Sequence, residues 1–194
     1  MIYLKEYNNY DNEVENICKK YGIENWSIRD GLVDVDGDVN LCGVGLTELP
    51  LKFGKVSGEF DCSHNNLTTL EGVPKEVSGN FICDDNNLTS LKGMPKEIVG
   101  YFDCGSNNLT TLEGAPKEVG GDFYCYGNKL TTLEHIPNVK GDIYIIGNPL
   151  PKEILNLKEE QLKKVIYEQE FYEIWRDGKL FEPRWRELKL DLGI

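Results

Sequence analysis

Residues 60–80 read FDCSHNNLTTLEGVPKEVSGN, and the same unit returns as FICDDNNLTSLKGMPKEIVGY over 81–101, FDCGSNNLTTLEGAPKEVGGD over 102–122 and FYCYGNKLTTLEHIPNVKGD over 123–142. Cys62, Cys83, Cys104 and Cys125 therefore recur every 21 residues. A fixed period of this length predicts a solenoid, because no single unit can bury its own apolar face and stacked neighbours supply the core. Working outward, VNLCGVGLTELPLKFGKVSGE from Val39 matches with Leu41 in the cysteine column, and IYIIGNPL from Ile143 matches after one deleted residue, with Ile145 there. The prediction is five full units and a truncated sixth.

The pattern F-x-C-x-x-N-x-L-x-x-L resembles the leucine-rich-repeat consensus, with Phe60, Cys62, Asn65, Leu67 and Leu70 in its leucine and asparagine places. The arc Leu70–Val77 looks like the L-P-x-L-P-x-x-L back of short-repeat bacterial effectors. Whole units are similar to those of small leucine-rich-repeat proteins encoded by bacteriophages. The resemblance spans about residues 32–157. It implies a mainly β, right-handed solenoid with one short parallel sheet on a concave face, flanked by an N-terminal helix and hairpin cap and by C-terminal helices. It implies a surface and not a reaction.

The organisation expected is a cap over 1–31, the solenoid over 32–150 and a helical cap or docking module over 151–194. In the first segment Asp11 is the expected helix N-cap, Val14, Ile17, Cys18 and Tyr21 recur at helical spacing, and Gly22 stands where a helix stops. The run Leu32–Leu41 alternates around Asp36-Gly37, which predicts a hairpin turn. The carboxylates near it do not fit a calcium loop, whose glycine belongs at the sixth position. Beyond Pro151, Lys158–Arg176 reads as one helix with Leu162, Val165, Ile166, Gln169 and Tyr172 on its apolar face, broadened by Phe171 and Trp175. Asp177-Gly178 is a turn, and Pro183 opens a last helix carrying Trp185 and Leu188.

Within a unit, the cysteine slot also accepts Leu41 and Ile145, so it is a core slot. Equivalent side chains on adjacent parallel strands lie about 4.8 Å apart and point the same way, a poor arrangement for a disulfide or a tetrahedral metal site. Buried thiols acting as small hydrophobes are expected. Asn65, Asn86, Asn107, Asn128 and Asn148 form a column whose amides can satisfy backbone groups of neighbouring coils. The proline column at 74, 95, 116 and 137 argues against helix on the convex side.

Charge is uneven. The net charge of -12 divides into -1 over 151–194, where nine Lys/Arg face ten Asp/Glu, and -11 over 1–150, where twelve face twenty-three. This disfavours direct nucleic-acid binding and favours a basic partner. No apolar run approaches the roughly 18 residues of a membrane span, and the start MIYLKEYNNYDNEVENICKK lacks an apolar signal core. A cytoplasmic monomer is expected, in the bacterial host cytoplasm if the chain is phage-encoded.

Outward positions of the strands vary while inward ones do not. Asp61, Asp84, Asp85 and Asp103 make an acidic centre, and Tyr101, Tyr124, Tyr126 and Tyr144 with Ile146 make an aromatic patch, with Ile82 between. These are the expected partner-binding residues, since aromatic anchors bury area at low entropy cost and charges steer. A second candidate surface is Tyr172, Trp175, Phe181 and Trp185 in the C-terminal segment. No catalytic residue, metal ligand or cofactor is expected: His64 and His135 occupy different columns of non-adjacent units, and no nucleophile elbow or phosphate loop is present. The expected function is a non-enzymatic protein-interaction module that, on the phage resemblance, modulates or inhibits a host protein such as a defence factor. The alternatives are an acidic mimic of nucleic acid that blocks a host nucleic-acid-binding protein, and an enzyme built on the C-terminal module.

Overall fold

The computed structural model describes residues 2–194, with side chains described from Tyr10 onward. The side chains of the polar start, residues 1–9, lie outside the described residues. The chain opens with α1 (Ile2–Tyr21), so Asp11 sits inside the helix and is not its N-cap. The other end agrees with the pattern: Lys19 and Lys20 complement the carbonyl end of the helix dipole, and Gly22 at φ 66 ends it. Val14 and Cys18 are buried, with Ile17 and Tyr21 packed at the margin.

The hairpin is displaced from its expected place. β1 (Trp26–Arg29) and β2 (Leu32–Val35) pair antiparallel across Asp30-Gly31, both at positive φ. Asp36-Gly37 is instead the corner that carries the chain from β2 to β3 (Val39–Asn40) in a different sheet. That corner recurs at Gly58, Gly79, Gly100, Gly121 and Gly141, each donating its N–H to the glycine one turn earlier at 2.9–3.0 Å, or 2.8 Å at Gly121. A Cβ added at any of these five would lie 2.6–2.9 Å from the preceding glycine's carbonyl carbon, which is why the column tolerates no side chain.

Each coil carries two strands. Continuing along the chain these are β4 (Phe53–Val56), β5 (Phe60–Asp61), β6 (Glu76–Val77), β7 (Phe81–Ile82), β8 (Glu97–Ile98), β9 (Phe102–Asp103), β10 (Glu118–Val119), β11 (Phe123–Tyr124), β12 (Asn138–Val139) and β13 (Ile143–Tyr144). The first ladder, the one expected, runs β3-β5-β7-β9-β11-β13. The second, β1-β2-β4-β6-β8-β10-β12, is parallel from β2 onward and adds a sheet behind the first where only an extended arc is expected. Both ladders send side chains into one core, in which Phe60, Phe81, Phe102 and Phe123 stack with ring centroids 5.4–6.0 Å apart. No helix interrupts residues 22–151, and no described helix is long and apolar enough to cross a membrane.

The asparagine column works as expected. Asn107 accepts from Leu88 N–H at 2.9 Å and donates to the carbonyls of Cys83, Cys104 and Gly105 at 3.0–3.3 Å. Each member of the column likewise accepts from a backbone N–H and donates to a carbonyl of the preceding coil, tying its own turn to it.

All six cysteines are unpaired, and Cys62, Cys83, Cys104 and Cys125 have no exposed surface. Burial pushes all four thiols well up from their ordinary range and raises Cys18 to about 11. Of the six, only Cys42 is partly exposed. A thiol reagent is therefore expected to modify Cys42 in the native protein and the other five only after denaturation, as counted by mass spectrometry. Rapid native labelling of the ladder would remove it from the core.

The C-terminal segment forms α2 (Lys152–Leu155), α3 (Glu159–Tyr172), the hairpin β14 (Trp175–Arg176) and β15 (Lys179–Leu180), and α4 (Glu182–Leu192). α3 ends at Tyr172 and not at Arg176, because Glu173 takes a left-handed conformation and Trp175 enters a strand. The Asp177-Gly178 turn and Pro183 in the first turn of α4 stand where expected.

Candidate functional site

The first ladder positions the outward face by register. Asn40, Asp61, Ile82, Asp103, Tyr124 and Tyr144 are partners on successive strands, so they form one straight column. Tyr101, one residue before β9, leans on this column: its ring meets Tyr124 edge to face at 5.9 Å. Tyr124 in turn stacks on Tyr144 at 4.5 Å and 3°. Three rings on three consecutive turns are thus ordered against each other. The Tyr124 hydroxyl also donates to Asp122 at 3.0 Å, and that bond, with burial and neighbouring charge, pushes the phenol up to about 12.

Tyr126 lies in the next column, with its ring over Gly105. A Cβ at Gly105 would come within 2.5 Å of that ring, so the glycine makes room for the tyrosine. Tyr101, Tyr124 and Tyr126 are half-buried, whereas Tyr144 is 43% and Ile146 78% exposed. The patch is most open at its C-terminal end.

The carboxylates stand beside these rings. Asp61 accepts from the Ser63 N–H and hydroxyl at 2.9 and 2.6 Å, and Asp103 accepts from Gly105 N–H at 2.8 Å. Asp85 pairs with His64 at 2.8 Å. Among the described residues, Asp61, Asp84 and Asp103 have no cationic partner within ion-pair distance. Burial, reinforced by the charges of Asp84 and Asp61, pushes the Asp103 carboxyl up to about 6; Asp84 is raised chiefly by burial and by Asp61, against the opposing pull of His64.

This has a sign. A carboxyl whose folded-state pKa exceeds its unfolded value near 3.9 penalises the fold once ionised, and the penalty grows as pH rises from about 4 to about 6. The melting temperature is therefore expected to fall as pH is raised from 5 to 7.5. Asp103→Asn keeps the acceptor for Gly105 and should raise stability at pH 7.5 by about 1 kcal/mol, after discounting for partial solvation. A variant no more stable than the parent at pH 7.5 would contradict this placement of the charge.

The second candidate surface is corrected. Trp175 and Trp185 are 8% and 1% exposed, and Trp175 donates from Nε1 to the buried Gln169 at 2.7 Å, while Gln169 donates to Leu133 O at 3.0 Å. The two tryptophans seal the end coil because a solenoid terminus must be covered by large apolar area. Tyr172 is half-buried and hydrogen-bonded to Asp191, and Phe181 lies under Arg176 with 4.3 Å from guanidinium to ring centroid. The most exposed aromatic groups of this segment are Tyr167 and Phe171, at 80% and 81%. They stand on the α3 face opposite Leu162, Val165 and Gln169, and the helical period alone could have separated them.

Sequence reasoning passed over Gly105 and the holding role of Asp122. The signal for Gly105 was present, as the one glycine in a column otherwise holding Cys42, Ser63, Asp84, Tyr126 and Ile146. Lys163 of α3, bonded to Asp142 at 2.9 Å and Glu159 at 3.0 Å, anchors the C-terminal module beside the tyrosines. Among the described residues no group of three or more His, Cys, Asp or Glu is placed to hold a metal ion. Comparison with protein-family models, with curated proteins and with solved structures gives no match.

Proposed function

We propose that this chain is a non-enzymatic protein-binding module that engages its partner through the outward face of the first ladder, with Tyr101, Tyr124, Tyr126, Tyr144 and Ile146 as the anchor and Asp61, Asp84 and Asp103 as the steering charges. The carrying observation is the pre-stacked trio Tyr101, Tyr124 and Tyr144. Rings already held by one another lose little further freedom on contact, which is what an interface anchor requires. The unpaired carboxylates beside them select a partner of positive potential. The similarity of the repeat unit to phage-encoded proteins supports a host protein, such as a defence factor, as the target, with the module acting as its inhibitor.

The carboxylates lend themselves to a second reading, in which the -11 body occupies the basic groove of a nucleic-acid-binding protein. Affinity purification of the tagged chain from bacterial cells, with partners identified by mass spectrometry, tests both. A tyrosine-anchored complex should persist at high ionic strength, whereas charge mimicry should weaken steeply. Recovery of no stoichiometric partner would count against either.

A further inference from the structure

Backbone polarity along the first ladder alternates, and the alternation ends abruptly. Phe102, Cys104 and Ser106 donate their N–H groups to the carbonyls of Asp122, Tyr124 and Tyr126 in the next turn at 2.8–2.9 Å, and Phe123, Cys125 and Gly127 donate likewise to Asp142, Tyr144 and Ile146. The equivalent donors of the last turn are Ile143, Ile145 and Gly147. Among the described residues nothing accepts from them, and β13 ends the ladder. Of the donor residues Ile143 and Ile145 are buried at 8% and 7% and Gly147 is exposed, and the flanking Tyr144 and Ile146 are 43% and 78% exposed. The chain beyond it does not add a strand; it turns away into α2.

We propose that the free edge of β13 docks an extended peptide segment of a partner protein, which adds in parallel as the next rung of the ladder. A row of donors at alternate residues is the backbone requirement for strand addition. The rung must be extended over at least five residues to present three alternate carbonyls. Its third residue falls on the ring of Tyr144, as Tyr144 falls on Tyr124, so a planar side chain there extends the stack. A second copy could offer matching carbonyls from Asp38, Asn40 and Cys42. However, α1 is packed on that end with Val14 and Cys18 buried and the Tyr10 hydroxyl on Gly31 O, which obstructs a whole solenoid end from approaching to strand spacing. A single strand has no such bulk. This inference stands on the edge rather than on the tyrosine face, and the two can fail separately.

The probe is the chain's own preceding rung, a synthetic peptide DFYCYGN corresponding to residues 122–128. Amide hydrogen exchange is followed residue by residue in the full chain, alone and with peptide. Alone, Ile143, Ile145 and Gly147 should exchange at least about tenfold faster than Phe123, Cys125 and Gly127. With peptide at about millimolar concentration those three amides should slow by at least about tenfold, and Ile146→Lys, which places a charge at the edge, should abolish the slowing. Protection already present in the dilute free chain, or no change on adding peptide, overturns the proposal. Protection that grows with protein concentration alone assigns the edge to a second copy, and equally overturns it.

Discussion

Replacing Leu88 or Leu109 by alanine is expected to lower the stability of the entire solenoid by about 2 to 5 kcal/mol, the range for truncating a fully buried leucine. Both side chains have no exposed surface, and each sits in an interior coil between equally buried leucines, Leu88 between Leu67 and Leu109 and Leu109 between Leu88 and Leu130. The upper part of the range is the more reasonable expectation because the backbone cannot collapse into the void. Leu88 N–H is held by Asn107 at 2.9 Å and Leu109 N–H by Asn128 at 3.0 Å, and each of those amides is also bonded to three carbonyls. Since each coil is stabilised by its neighbours, the loss should appear as a shift of one cooperative denaturant transition. An unchanged midpoint would place these leucines outside the core.

What could be read in advance depended on whether a residue's role is set by its own column or by the column it faces. Phe60, Cys62, Asn65, Leu67 and Leu70 repeat with fixed chemistry, and in the four units from Phe60 to Asp142 every one of them is buried, so identity alone was sufficient. The second ladder was hidden because β6, β8, β10 and β12 are two residues long and only one of the two, as in Glu76–Val77, points inward; so short a strand has no alternation to detect. The hairpin was misplaced between two Asp-Gly pairs of equal local preference. Their difference is tertiary: Trp26 and Ile28 pair with Val35 and Val33 across the first, whereas the second must leave the sheet at a glycine corner that the later turns also require. The tryptophans were misjudged for a related reason. Aromatic density in a terminal module is the same whether it seals an open coil or awaits a partner, and only the burial of Trp175 and Trp185 beside the exposure of Tyr167 and Phe171 distinguishes the two uses.

The binding reading leads to the other large effect. Tyr124→Ala combined with Tyr126→Ala is expected to weaken the complex with a partner recovered from cells by at least about 2 kcal/mol, or roughly thirtyfold in Kd. The first substitution breaks the stack at its centre, leaving Tyr101 and Tyr144 without the ring between them, and the second removes the ring that covers Gly105. The fold should survive, because the core contribution of this strand comes from Phe123 and Cys125, which point the other way and remain. Asp84→Asn with Asp103→Asn should act differently. Without charge the face no longer draws a basic partner from a distance, so association slows and its salt dependence flattens, while dissociation changes less. Measuring both rate constants for each double variant separates anchor from steering. Should the tyrosine pair prove silent while Tyr167→Ala with Phe171→Ala abolishes binding, the exposed side of α3 is the functional surface and the ladder face is its scaffold.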